Sequence, residues 1–270
     1  MEKIYKAVSL LKDLGFDKPE LGIVLGTGLG NLVHEIEIEK QVAYEDIPGF
    51  PIATVEFHKG NLIYGNLEGK KVIVMQGRFH FYEGYTMQEI TFPIRVLKLL
   101  GIEKLLLSNA CGAMSLDRFK KGDIALVDDH INLLPDNPLR GKNMDEFGDR
   151  FPDMSAPYDA GMNAALKMAA TELDMPLNEA VYASVMGPNL ETRAEYRYLK
   201  IIGADIVGMS TVPEVIVANH MSLPCAVLSV ITDECDPENL HAINIEDIIA
   251  VAKIAEAKMV RLIKQVITRL

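Results

Sequence analysis

From residue 21 onward the chain repeats one pattern. A short run of Val, Ile and Leu is followed by a stretch whose apolar residues recur every three or four positions. Short unbroken apolar runs suit strands covered on both faces, and the periodic stretches between them suit the helices that do the covering. Strands are predicted over 21–26, 62–67, 71–76, 104–109, 123–128, 180–186, 204–208 and 225–232, and helices over 3–14, 87–100, 157–173, 192–202, 212–221 and 244–269. The turn Asn66-Leu67-Glu68-Gly69 joins the second and third strands as a hairpin. Thr192 with Glu195 forms a capping box, which starts a helix there. The alternation implies an α/β fold: a mixed, largely parallel sheet flanked by helices. The 270 residues contain no repeat, linker or low-complexity segment, so one domain spanning 1–270 is expected. Residues 134–157 are rich in Pro, Gly, Asn and Asp and read as a long ordered loop, a feature usually tied to function or to an interface.

Composition narrows the partners. A formal net charge of -11 repels a polyanion, which argues against nucleic acid; a small anion would need its own positive pocket. Cys111, Cys225 and Cys235 leave one thiol unpaired in any matching, and no C-x-x-C occurs, so a reducing cytoplasm is expected rather than a disulfide framework. The N-terminal residues read as a charged amphipathic helix without a signal-peptide core. No uncharged run is long enough to cross a bilayer, so no membrane partner is expected.

Four segments carry chemistry. The first is Gly26-Thr27-Gly28-Leu29-Gly30, glycines directly after a strand, where backbone N–H groups can converge on an anion and Thr27 adds a hydroxyl. It is no Walker loop, and Asn31 stands where a dinucleotide fingerprint needs its third glycine. A plain tight turn uses the same residues. The second is Arg78-Phe79-His80-Phe81-Tyr82 at the end of a buried strand. In an extended chain Arg78, His80 and Tyr82 project to one side, a planar cation beside a proton carrier. His58 is a weaker companion.

The third comprises two strand ends, Ser108-Asn109-Ala110-Cys111-Gly112 and Gly208-Met209-Ser210-Thr211. Ser210 stands just before a helix with Pro213 in its first turn, a place that suits a phosphate or an ordinary N-cap. The fourth is a pair of carboxylates, Glu191 and Asp233, able to accept from the N–H edge of a purine or to serve as a helix cap and a turn residue. Asp128-Asp129-His130 is too sparse a set for a metal, and none is assigned.

Taken together, GTGLG, MQGRFHFYEGY, SNACGA, NPLRG, FGDRFPDMS, GPNLETRAE, VGMSTVPEVIVA and ITD stand in an order that resembles the trimeric purine nucleoside phosphorylases over nearly the whole chain. The sequence is also similar to their sister group, the 5'-methylthioadenosine phosphorylases. The resemblance implies a nucleoside phosphorylase fold, a homotrimer, inorganic phosphate as co-substrate and no organic cofactor. It implies phosphate contacts at Thr27, His58, Arg78, His80, Ser210 and the backbone N–H of Ala110. It implies ribose and base contacts at Tyr82, Leu190, Glu191, Met209 and Asp233, with Phe151 supplied to a neighbouring subunit. Glu191, Asp233 and His80 are the residues expected to act on the reacting groups.

The sequence departs from that pattern in places. Thr27 replaces a serine and keeps the hydroxyl, while Leu190 replaces a phenylalanine and keeps only apolar contact. Asp233 replaces an asparagine: ionised it only accepts, favouring a 6-amino purine, and protonated it could donate to O6 or N7. Asn244-Ile245 replaces Asn-His, an apolar 5' neighbour that would suit a methylthio group. A nucleosidase, the remaining alternative, would leave Thr27, Arg78, His80 and Ser210 without a purpose.

Overall fold

The computed structural model describes residues 1–27, 30–52, 60–240 and 245–270. Nine strands form one sheet: β1 Leu21–Val24, β2 Glu37–Ala43, β3 Asn61–Leu67, β4 Lys70–Gln76, β5 Lys104–Ala113, β6 Ile124–Asn132, β7 Asn178–Ser184, β8 Ile206–Gly208 and β9 Cys225–Glu234. Six helices accompany them: α1 Glu2–Asp13, α2 Met87–Leu100, α3 Ala160–Glu172, α4 Arg193–Ile201, α5 Val212–His220 and α6 Ile245–Ile267.

The strand order is β2-β3-β4-β1-β5-β8-β7-β6-β9, and β9 pairs back onto β5. Strands β5, β8, β7, β6 and β9 therefore close into a ring, with β1 to β4 as an open wing. Among the described residues five pairings are parallel and four antiparallel, so the sheet is mixed, as expected. The period of two explains the unbroken apolar runs. In β4, Ile73 and Met75 enter one core with α1, α2 and α5, while Val72 and Val74 enter another with α3 and α6. Both faces are buried, so both sets must be apolar.

The hairpin forms where predicted: Leu67 pairs with Lys70, and the Asn66 side chain accepts from the Gly69 N–H at 2.9 Å. The capping box forms too, Thr192 Oγ1 accepting from Glu195 N and Glu195 from Thr192 N. Residues 134–157 form a long loop without helix or strand.

Several expectations need correction. Strand β2 has no sequence counterpart, because Glu37 to Lys40 alternate charge and isoleucine on an exposed sheet edge with no buried face. The expected strands at 104–109, 123–128 and 225–232 run on to residues 113, 132 and 234. Their polar extensions reach the cavity described next, where burial no longer dictates apolar residues. The chain after β4 does not stay extended through Tyr82; residues Phe81–Glu83 form a 3-10 turn. No helix among the described residues is long and apolar enough to cross a membrane.

Candidate active site

Strands β4, β1, β5 and β9 run parallel, so their carboxyl ends emerge at one edge. This is where open α/β sheets bind ligands. A cavity of about 330 Å3 lies there, lined by Thr27 after β1, Arg78, His80 and Tyr82 after β4, Ala110 on β5, Met209 and Ser210 after β8, Asp233 on β9, and Leu190 and Glu191 before α4. Ten of the twelve residues singled out from the sequence are thus brought together. Phe151 is not among them: it stands 86% exposed on the long loop, with the Arg150 guanidinium 5.6 Å from its ring centre. His58 lies outside the described residues, as do Asn244 and the side chain of Ile245.

One end of the cavity is built for an anion. Gly26 brings β1 against β5: a Cβ there would lie 2.7 Å from Asn109 Cα and Ser108 O, so no side chain fits. The Gly26 N–H donates to Ser108 Oγ, which donates on to Val24 O, each at 3.2 Å. The glycine segment is anchored at its far end by Glu256 of α6, which accepts from both the backbone N–H and the side-chain amide of Asn31.

Arg78 is 1% exposed, its Nε 3.2 Å from Glu214 Oε1 and its Nη1 donating to Ser108 O at 2.5 Å and to Ser210 Oγ at 3.4 Å. Glu214 sits in the first turn of α5, where the helix dipole also favours a carboxylate. The sequence offered no sign of this partner beyond an ordinary first-turn acid.

Ser210 is not the N-cap of α5; Thr211 is. Thr211 has φ 72° and ψ -54°, and the Val212 N–H donates to Ser210 O at 2.8 Å. That is a γ-turn of the rare positive-φ kind, strained for a β-branched residue. Its surroundings hold it: Asn109 Nδ2 donates to Thr211 Oγ1 at 2.9 Å, and Ser184 Oγ donates to Ser210 O at 3.0 Å. The turn presents the Ser210 hydroxyl at the start of α5, beside Arg78.

His80 is buried, its Nδ1 2.9 Å from Glu83 Oε1 and its ring stacked on Tyr82 at 4.7 Å between centroids. Glu83 also accepts from the His80 backbone N–H at 2.8 Å. Burial lowers the His80 pKa below the usual histidine range; Glu83 opposes that shift, and the Arg78 charge reinforces it. The ring is therefore neutral at pH 7. Burial also pushes the Tyr82 phenol up to about 12.

The other end carries the two carboxylates. Burial raises the Glu191 pKa, the Tyr196 hydroxyl hydrogen-bonded to it works the other way, and the nearby Asp233 adds to the rise. Asp233 lies within β9 rather than in a turn beyond it, and its Oδ1 accepts from Thr232 Oγ1 at 2.9 Å. Glu191 caps nothing, since Thr192 takes that role. Asp128, Asp129 and His130 lie on β6, where Tyr158 Oη is 2.9 Å from the His130 ring.

One cavity thus joins a cation and a helix N-terminus to a pair of acceptors about a nucleoside's length of groups away. The known proteins that this chain resembles have the same character. The phosphorylase superfamily profile matches residues 20–268. Purine nucleoside phosphorylase 1 of Bacillus subtilis (strain 168) is 43% identical over 268 residues, covering 99% of this chain and 98% of that protein. The purine nucleoside phosphorylase of Mus musculus is 44% identical, covering 91% and 87%. The crystal structure of isoform 2 of the Schistosoma mansoni enzyme, in complex with cytosine and ribose-1-phosphate, superposes with a TM-score of 0.94 at 44% identity, covering 100% of this chain and 96% of that one. The chain belongs to the phosphorylase superfamily, among its purine nucleoside phosphorylases.

Proposed function

We propose that the cavity holds inorganic phosphate at Thr27, Arg78, His80, Ser210 and the Ala110 backbone N–H, and a purine nucleoside against Tyr82, Leu190, Glu191, Met209 and Asp233. His58 joins the phosphate set on the strength of the sequence resemblance. The reaction is phosphorolysis of purine (deoxy)nucleosides, a pentosyl transfer that yields free base for salvage and (deoxy)ribose 1-phosphate. Residues 1–270 work as one domain, with no organic cofactor and no metal. The observation that carries this reading is the shared cavity itself, with Arg78 and the α5 N-terminus at one end and Glu191 and Asp233 at the other.

The chemistry follows from that polarity. When the C1'–N9 bond breaks, its electron pair leaves with the purine and positive charge builds on the ribose. A phosphate oxygen attacks C1', and the phosphate charge stabilises the cationic sugar. Phosphate reaches the cavity as an anion that Arg78, Thr27 and the helix terminus can bind. With Nδ1–H given to Glu83, a neutral His80 offers Nε2 as an acceptor for the hydroxyl of monoprotonated phosphate. At the base end, Glu191 accepts from a ring N–H, and Asp233 stands at the side of N7 and the 6-substituent.

The exposed Phe151 supports a homotrimer in which each chain lends this ring to its neighbour's ribose site. Three buried thiols accord with a reducing cytoplasm. Release of hypoxanthine from inosine, measured with and without phosphate, tests the reaction. Strict phosphate dependence with ribose 1-phosphate as co-product is the expected result; release indifferent to phosphate would overturn the reading.

A further inference from the structure

Two residues that do not line the cavity connect its two carboxylates. Tyr196, on α4 five residues after Glu191, and Cys235, two residues after Asp233, are buried at 2% and 1% exposure. They share a small core with Met114, Leu199 and Val207. The Cys235 thiol donates to Asp233 Oδ2 at 3.0 Å, and its backbone N–H is fixed on Ala113 O at 2.7 Å. The Tyr196 hydroxyl is hydrogen-bonded to Glu191 on one side and to Cys235 on the other. Burial raises the pKa of both Tyr196 and Cys235, so at neutral pH each keeps the proton it donates.

The packing leaves little slack. A Cβ on Gly112 would lie 2.4 Å from Cys235 Sγ and 2.8 Å from Asp233 Oδ2, so this glycine is what lets the thiol and carboxylate close on β5. With Thr232 donating to Oδ1 and Cys235 to Oδ2, both Asp233 oxygens already receive a proton donor.

We propose that Tyr196 and Cys235 are positioning residues for the base: they tie Glu191 and Asp233 into one hydrogen-bonded chain that fixes both carboxylates toward the purine edge and holds Asp233 as an acceptor. The inference rests on the base-end assignment of Glu191 and Asp233 made above. An acceptor at that place takes a hydrogen bond from a 6-amino group and none from a 6-oxo group. The chain thereby sets which 6-substituent the site prefers.

The test compares kcat/KM for adenosine and for inosine, with phosphate KM, in wild type, Cys235→Ala, Cys235→Ser, Tyr196→Phe and Glu191→Gln. Losing the thiol donor frees the Asp233 side chain, so Cys235→Ala is expected to lower the adenosine-to-inosine ratio about tenfold, the factor carried by one hydrogen bond to a charged group. Phosphate KM stays within about twofold, because the phosphate end of the cavity is untouched. Cys235→Ser restores the ratio, since a hydroxyl donates as well, and Tyr196→Phe raises purine KM through Glu191. An unchanged ratio in Cys235→Ala, or an equal loss for both nucleosides and for phosphate, overturns the proposal. Glu191→Gln separates the levels. If it raises purine KM while the Tyr196 and Cys235 variants do nothing, the positioning role alone falls. If it too is silent, the base-end assignment falls and takes the inference with it.

Discussion

Arg78 carries its charge into the cavity already committed to Glu214 and to Ser108 O, and the commitment has two consequences that separate cleanly. Arg78→Ala removes a charge-assisted contact to phosphate, worth roughly 1.5–3 kcal/mol, so phosphate kcat/KM is expected to fall at least about tenfold while purine binding changes little. It also strands a buried carboxylate, which typically costs about 3–5 kcal/mol of stability. The double variant Arg78→Ala with Glu214→Ala should recover much of the melting temperature and none of the phosphate use; recovery of both would remove Arg78 from the phosphate site. His80 lends itself to a pH test. Its lowered pKa means the ring charges only below the usual histidine range, so activity that needs neutral His80 is retained at pH 7 and lost as pH falls. Glu83 pushes that pKa upward, so Glu83→Gln lets it drop further and should move the acid limb of the kcat/KM profile to lower pH. A limb that stays put would mean another group sets it.

Among the elements, the ones that bury both faces were legible and the ones that do not were not. Strands β1, β4, β5 and β9 announced themselves because each face meets a core, and α4 because Thr192 and Glu195 close a box. Strand β2 stayed hidden because its charges face water at a sheet edge. At the site, residues of distinctive chemistry were visible as types: Arg78, His80, Ser210, Glu191, Asp233. Their supports were not. Glu214, Glu83, Tyr196 and Glu256 look in sequence like ordinary helix or turn residues, and only tertiary proximity gives them a task. Glu256 illustrates the point. From α6 it grips Asn31 twice and so holds the end of the glycine segment that presents Thr27. Glu256→Ala should raise phosphate KM several-fold, about what two lost hydrogen bonds to a partly strained loop would give, with little change in purine KM. Kinetics with each substrate varied in turn would show a purine effect instead if the loop served the base.

For the whole molecule, the long loop and its exposed Phe151 raise the question of how many chains make a complete site. If the ring serves a neighbour, Phe151→Ala should lower nucleoside kcat/KM while leaving the fold intact. Mixed assemblies of Phe151→Ala with Glu191→Ala should regain activity, because some sites then combine an intact pocket with an intact ring. Absence of such complementation, with sedimentation as a single chain, would confine the site to one subunit. The strand ring has a consequence of a different kind. Strand β9 must return to β5 across 111 residues of intervening chain before the ring closes, since β5 ends at Ala113 and β9 begins at Cys225. Contacts so distant in sequence form slowly, because the entropy of loop closure is lost before they yield any stability. Both ends of the cavity draw on β5 and its late partners, so in refolding the capacity to bind phosphate or purine should emerge only with the slowest phase, well after helix signal has returned. Nucleoside added at the start would then leave the early phases unaltered and slow only unfolding, as a ligand does when it recognises nothing short of the finished molecule.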